Sequence, residues 1–201
     1  PESNRRSGAA IRARLQALGL IRESGHEHFS GSVVLPIYTA KGDVGEMYGR
    51  KITPNLRKGT PLHLYLPGPH EGIWNAEALK ESEVILCEAP IDALTFWVNG
   101  FRNVTFIYGT EGFTDELFQA LLARKVRRIR IAYDADGAGN RAAKRDADRL
   151  MAHGREVSRV KFPWGMDANE SAKKVTPPAK SLGLVLKAAE WIGGTTGPRP
   201  A

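Results

Sequence analysis

The residues Asp134-Ala135-Asp136-Gly137 place two carboxylates two positions apart. They follow Arg128-Ile129-Arg130-Ile131-Ala132-Tyr133, which reads as a short strand with β-branched residues at Ile129 and Ile131. On extended backbone, side chains two apart point to the same side, so both carboxylates face one spot at the strand's carboxyl end. Like charges held together repel unless a cation lies between them. Hard oxygen donors on one face suit Mg²⁺, which takes one or two carboxylates plus substrate phosphates, with Mn²⁺ as a possible substitute. Gly137 and Gly139 turn the chain, and Asn140 is expected to cap the next helix. Alone, Asp-Ala-Asp-Gly is better explained as an Asp-rich turn. Two further acidic points tilt the balance: Glu88, directly after the apolar run Glu83–Cys87, and Asp167, just after the run 156–162.

The elements that must position these groups are legible in the apolar patterning. Runs 83–87, 104–108, 128–132 and 156–162 read as strands. Pro90 suits a first helical turn, and Ile91 to Val98 continue the helix to a stop at Asn99-Gly100. Thr114 caps a helix through Lys125 with Leu117, Leu121 and Leu122 on its apolar face. A further helix spans 140–153. Strands alternating with helices predict a parallel sheet covered on both faces. In such sheets, sites form outside the carboxyl ends of strands. Glu88, Asp134, Asp136 and Asp167 therefore share one address. Such a cluster could bind Mg²⁺ and leave one carboxylate for proton transfer, and a pair of ions could clamp the oxygens of a phosphoryl transfer. Glu88 also precedes a helix, whose N-terminal dipole favours an ionised carboxylate.

The chain before residue 81 differs in character. Pro1 to Ser7 are polar and expected to fray. Ile11, Leu15 and Leu18 fall at helical spacing over Gly8–Leu20. Gly31–Tyr38 and Val44–Lys51 form the arms of a hairpin across Lys41-Gly42-Asp43. Residues 53–72 read as loops with short extended pieces carrying Arg57, Lys58, His63 and His70, and 76–81 as a short helix or turn. The resulting division is 1–80, a small basic β-rich subdomain; 81–175, the α/β domain; and 176–201, a helix over Ser181–Ile192 followed by a tail whose composition from Gly193 predicts disorder.

The formal net charge of +7 and pI of about 9.7 favour a polyanionic partner. A single cysteine, Cys87, rules out an internal disulfide and a Cys-based zinc site within these 201 residues. No apolar run is long enough to span a bilayer and no signal-peptide pattern is present, so no membrane partner is expected and the cytoplasm is the default location. The chain begins at Pro1, as expected of a fragment of a longer protein.

Glu88-Ala89-Pro90-Ile91-Asp92, Asp134-Ala135-Asp136-Gly137 and Asp167-Ala168-Asn169 resemble, in order and strand-end placement, the three acidic motifs of the Toprim domain. That domain is shared by bacterial-type primases, type IA and type II topoisomerases, OLD nucleases and RecR recombination proteins. Gly31-Ser32-Val33-Val34-Leu35-Pro36-Ile37, Lys41-Gly42-Asp43-Val44, Tyr48-Gly49-Arg50-Lys51 and Leu64-Tyr65-Leu66-Pro67-Gly68 look like the basic subdomain preceding Toprim in bacterial-type primases. The resemblance implies the catalytic core of a DNA primase, of phage, plasmid or other mobile-element type, joining ribonucleoside triphosphates on a single-stranded DNA template. It implies Glu88 as acid/base or metal ligand, Asp92 as its support, and Asp134, Asp136, Asp167 and Asn169 as metal ligands. Arg50 and Lys51 would meet nucleotide phosphates or template, and Arg57, Lys58 and Arg141 the nucleic-acid backbone. A zinc-binding module and a helicase or helicase-binding region would lie outside this fragment.

The chain departs from the family pattern in three places. Ala89 stands where Gly is usual, Asn169 where a second Asp is usual, and a lysine expected of the basic subdomain has no counterpart near His63. Other residues have plainer readings. His26, His28, His63 and His70 have no compact metal spacing and read as solvated or loop histidines. Trp74, Trp97 and Trp164 could stack on bases, although Trp97 reads as core and Trp164 stays open. Arg124, Lys125, Arg127 and Arg128 read as a solvated helix end, with nucleic-acid contact the minority reading. Cys87 reads as inert packing. The alternatives kept open are a nuclease or topoisomerase using the same cluster, the latter needing a nucleophilic tyrosine, and a non-catalytic DNA-binding module.

Overall fold

The fold is that of a computed structural model describing residues 2–163 and 165–195. It contains two compact units, Pro1–Gly72 and Ile73–Ala201.

The first unit opens with α1 (Glu2–Ala17). The polar start is helical from Glu2, not frayed, and Gly19, at φ +75°, ends the run earlier than Leu20. Strands β1 (Ser32–Tyr38) and β2 (Val44–Lys51) pair antiparallel, and β3 (His63–Tyr65) adds to the far side of β2, with Arg50 opposite His63. The hairpin lies where the turn chemistry of Lys41-Gly42-Asp43 puts it, with Gly42 at φ +87°. The core holds Ile37, Tyr48 and Leu64, together with a buried carboxylate, Glu46. Glu46 accepts from the backbone N–H groups of Met47 and Leu66 at 2.8 and 2.9 Å and pairs with His70 Nδ1 at 2.7 Å, the hydrogen bonding a buried charge requires.

The second unit is a five-stranded sheet, in the order β5-β4-β6-β7-β8. Its elements are β4 (Glu83–Cys87), α2 (Pro90–Val98), β5 (Val104–Phe106), α3 (Asp115–Ala123), β6 (Arg128–Ala132), α4 (Gly137–Met151), β7 (Glu156–Arg159), α5 (Ala168–Lys174), α6 (Pro178–Lys187) and β8 (Glu190–Gly193). The first four strands are parallel, as the alternation predicts, and β8 closes the edge antiparallel to β7. Val84 and Leu86 stand beside Ile129 and Ile131 and pack under Leu117 and Leu121 of α3 and Ala143, Ala147 and Leu150 of α4. On the other face, Arg130 pairs with Glu83 at 2.8 Å and donates to the Leu186 carbonyl at the end of α6. Fully buried alternate positions on β4 are what a sheet covered on both faces requires.

The C-terminal expectation needs correction. The last helix stops at Lys187, and Trp191 pairs with Ser158 in a strand. Residues 190–193 satisfy the free edge of β7, which local helical periodicity cannot foresee. The expected tail is strand at Gly193; from residue 196 it lies outside the described residues.

Candidate metal centre

The carboxyl ends of β4 and β6, and the segment after β7, bring the acidic motifs to one side of the sheet. Asp134 is two residues past β6 and Asp136 caps α4: its Oδ1 accepts from the Gly139 N–H at 2.7 Å. The expected cap, Asn140, lies in the first turn instead, because Asp136 already has the extended backbone (φ −118°, ψ 179°) that a cap needs. Asp167 caps α5 in the same way, its Oδ1 accepting from Glu170 N–H at 2.7 Å. Asp134, Asp136, Asp167 and Glu170 line an open cleft of about 120 Å³ with Ala135, Gly165 and Met166.

Glu88 lies behind this cleft and points toward Asp134, its Oε2 accepting from the Asp134 N–H at 3.4 Å. The close approach is permitted by Gly139. A Cβ there would lie 2.5 Å from the Asp134 carbonyl oxygen and 3.0 Å from Glu88 Oε2. Ala89, where the family pattern has Gly, adopts extended backbone (φ −126°, ψ 154°), a conformation any residue takes. Asp92 is 4% exposed on α2 and accepts from the Asn169 backbone N–H at 3.2 Å. The Asn169 side-chain amide donates to Thr95 Oγ1 at 3.0 Å. Asp92 and Asn169 thus tie α2 to α5, while the carboxylates lining the cleft from that segment are Asp167 and Glu170.

Like charge accumulates here. Burial, then the charges of Asp134 and Asp136, push Glu88 up to about 7, against the lowering effect of its backbone hydrogen bond and of Arg159. Burial, then Asp167 and Asp134, push Asp92 up to about 8. Burial, then Asp167 and Asp136, push Asp134 up to about 6. Such shifts come first from the withdrawal of these carboxyl groups from water and then from their closeness to one another's charge. Among the described residues, no three His, Cys, Asp or Glu side chains close around a common point. Mg²⁺ requires fewer protein ligands, since waters and substrate phosphates complete its shell. The hard oxygen donors, the open cleft and the neighbouring like charges fit such an ion.

The remaining assigned residues lie as follows. Arg141 is exposed on the first turn of α4, with Nη1 3.4 Å from the Cβ position of Gly137. In the first unit, Arg50 contacts His63 Nε2, Lys51 donates to the Ser30 carbonyl, and Arg57 and Lys58 are exposed in the loop between β2 and β3. Of the histidines read as solvated or loop residues, His28 and His70 lie in loops and His63 in β3, and all three are engaged: His28 with the Tyr65 carbonyl, His63 with the Tyr48 hydroxyl, His70 with Glu46, all at 2.7–2.8 Å. Burial, then Arg50, lowers the His63 pKa. Trp97 is not core. It is 37% exposed and carries the Arg102 guanidinium 3.5 Å above its ring, because the buried stripe of α2 runs through Asp92, Ala93, Thr95 and Phe96. Trp74 stacks on Phe106, and Trp164 lies outside the described residues. Tyr133 is sealed, donating to Asp146 Oδ2 at 3.0 Å. Sequence reasoning missed two groups at the centre. Glu170 was signalled by Asp-x-x-Glu, a helix-start spacing. Arg159, on the short strand β7, had no local signal.

Residues 85–172 match the family model described as Toprim-like. The DNA primase of Aquifex aeolicus is 31% identical over 153 residues, covering 73% of this chain and 30% of the relative. The crystal structure of the Aquifex aeolicus primase zinc-binding and RNA polymerase domains is 26% identical with a TM-score of 0.65, covering 83% of this chain and 42% of that one. The DnaG primase catalytic domain bound to ssDNA is 20% identical with a TM-score of 0.72, covering 90% and 61%, a likeness of fold. The chain spans 26–30% of the length of the first curated relatives it matches.

Proposed function

We infer, for a chain that carries a Toprim-like domain over residues 85–172 and resembles primase catalytic cores, that it is the catalytic part of a DNA primase. The reaction is nucleotidyl transfer: ribonucleoside triphosphates are joined into an RNA primer on a single-stranded DNA template. What supports this reading is the cleft that Asp134, Asp136 and Asp167 line beyond the carboxyl ends of adjacent parallel strands, with Glu88 against the Asp134 N–H.

Asp134, Asp136 and Asp167, with Glu170, would hold a divalent cation, Mg²⁺ or Mn²⁺. When bound, the cation supplies Lewis-acid polarisation of phosphoryl oxygens and neutralises developing charge. Glu88, half-buried and raised to about 7, is suited to take the proton of an attacking 3′-hydroxyl on Oε2 near neutral pH. Asp92 and Asn169 hold α5, and with it Asp167, against α2. Arg141, on the first turn of the helix that Asp136 caps, and Arg50, Lys51, Arg57 and Lys58 in the basic unit would offer cations to template and triphosphate. Template choice and strand opening fall to a zinc-binding module and a helicase outside this chain. The location is cytoplasmic; among the described residues no helix is long and apolar enough to cross a membrane.

The test is template-dependent incorporation of labelled ribonucleotides on single-stranded DNA with Mg²⁺ or Mn²⁺. Incorporation lost in Asp134→Ala and Glu88→Gln supports the reading. Tight, metal-independent DNA binding with no incorporation would overturn it in favour of a binding module.

A further inference from the structure

Arg159 is 7% exposed in β7, and all of its hydrogen bonds run to main-chain carbonyls and one amide. Nη1 donates to the carbonyls of Ile131, Tyr133 and Val160 at 3.3, 2.9 and 3.1 Å. Nη2 donates to the Asp134 carbonyl at 2.9 Å and to Asn140 Oδ1 at 3.1 Å. No carboxylate lies within 4.0 Å of it among the described residues. A buried guanidinium with no direct ion pair is costly to keep. The two Nη groups of the rigid planar fork nevertheless reach all five acceptors, which the three donors of a lysine ammonium cannot do. Its charge is balanced at longer range by Glu88 and Asp134.

Asp134 is held at both ends. Its N–H faces Glu88 Oε2 and its carbonyl accepts from Arg159 Nη2, which also donates to Asn140 on α4. One side chain therefore joins the end of β6, the carbonyl of Asp134 and the first turn of the helix that Asp136 caps. We propose that Arg159 is a positioning residue of this site, whose guanidinium fork fixes the main chain from which Asp134 and Asp136 face a divalent cation. The proposal rests on the metal-dependent reading above and adds a part to it. Partners that orient metal ligands without touching the metal cost about 10-fold or more in affinity when removed.

The experiment titrates Mn²⁺ alone into the chain by calorimetry and follows primer synthesis in parallel, for Arg159→Met, Arg159→Lys and Asn140→Ala. Circular dichroism selects the variants that are folded. Both Arg159 variants are expected to weaken Mn²⁺ binding about tenfold and lower kcat with little change in the nucleotide KM. Lysine does not rescue, because the planar fork is what is lost. Asn140→Ala, on an exposed helical turn, keeps Arg159 and is expected to weaken Mn²⁺ binding about two- to threefold; it decides the matter if the Arg159 variants fail to fold. Folded variants that bind Mn²⁺ as the unaltered chain does would overturn the proposal, as would full rescue by lysine. If the unaltered chain binds Mn²⁺ but makes no primer, loss of binding in the variants still supports Arg159 while the primase reading falls. If it binds no Mn²⁺, both fall.

Discussion

Asp134 answers to two opposing demands. Burial, then the charges of Asp167 and Asp136, raise its pKa to about 6, so without a cation its ionised form costs the fold stability. Replacement by asparagine keeps the shape and removes one like charge. Asp134→Asn is therefore expected to melt at a higher temperature than the unaltered chain in metal-free buffer, while primer synthesis falls at least about a hundredfold, the order of effect when several kcal/mol of transition-state charge stabilisation is lost. Differential scanning calorimetry and an incorporation assay read the two halves of the trade-off, and a lower melting temperature would refute the charge argument. At this scale the sequence showed which residues are acidic and in what order, because strand-end carboxylates follow visible apolar runs. It did not show Arg159, since a lone Arg in Glu156–Arg159 has no pattern that distinguishes a buried fork from a surface charge. Trp97 was misplaced for a related reason: composition gives an aromatic's hydrophobicity, not the side of the helix it occupies.

At the scale of elements, two of the acidic residues do structural work in addition to any chemistry. Asp136 and Asp167 begin α4 and α5 with side-chain caps. Serine caps nearly as well but carries no charge. Asp136→Ser should leave the urea midpoint within experimental error while weakening Mn²⁺ binding, whereas Asp136→Ala should lose both, with a stability cost of about 0.5–2 kcal/mol. Equal urea midpoints for Ser and Ala would show that the cap is idle. Gly139 illustrates a different constraint. The sequence reads it as a turn glycine, yet it lies inside α4, and what excludes a side chain is the Asp134 carbonyl 2.5 Å from its Cβ position. Gly139→Ala must push α4 away from the end of β6, at a cost of about 1–3 kcal/mol for an overpacked contact. It should also weaken Mn²⁺ binding, because the shift moves Asp136; unchanged binding and stability would mean the contact relaxes freely. The strand–helix alternation was legible because both periods are local. The return of residues 190–193 as an edge strand was not, since it depends on the unpaired side of β7, far from it in sequence.

For the molecule as a whole, the parallel order of β5-β4-β6-β7 followed from the alternation of strands and helices, and the strand-end rule then located the centre. The sequence could not show how charge sums over that centre, because the sum depends on burial and on distances between motifs about 30 to 80 residues apart. That sum has a consequence for pH. Asp134, Glu88 and Asp92 are raised to about 6, 7 and 8 from values of 3.8, 4.5 and 3.8. Between about pH 4 and pH 8, these three groups therefore bind more protons in the folded chain than in the unfolded chain, and their contribution to stability falls as pH rises, outweighing the opposite contribution of the single lowered histidine, His63. The three groups interact, so the loss spreads over the window instead of following three separate steps. A divalent cation competes with those protons and binds the folded state, so it stabilises more at the alkaline end. In metal-free buffer the melting temperature should be several degrees lower at about pH 8.5 than at about pH 5, and Mg²⁺ should recover most of that difference while changing little at about pH 5. Asp92→Asn, which removes the most strongly raised carboxyl, should flatten the metal-free profile above about pH 6. A melting temperature that rises with pH in the absence of metal, or a Mg²⁺ increment equal at both ends, would show that the acidic motifs do not share one electrostatic site.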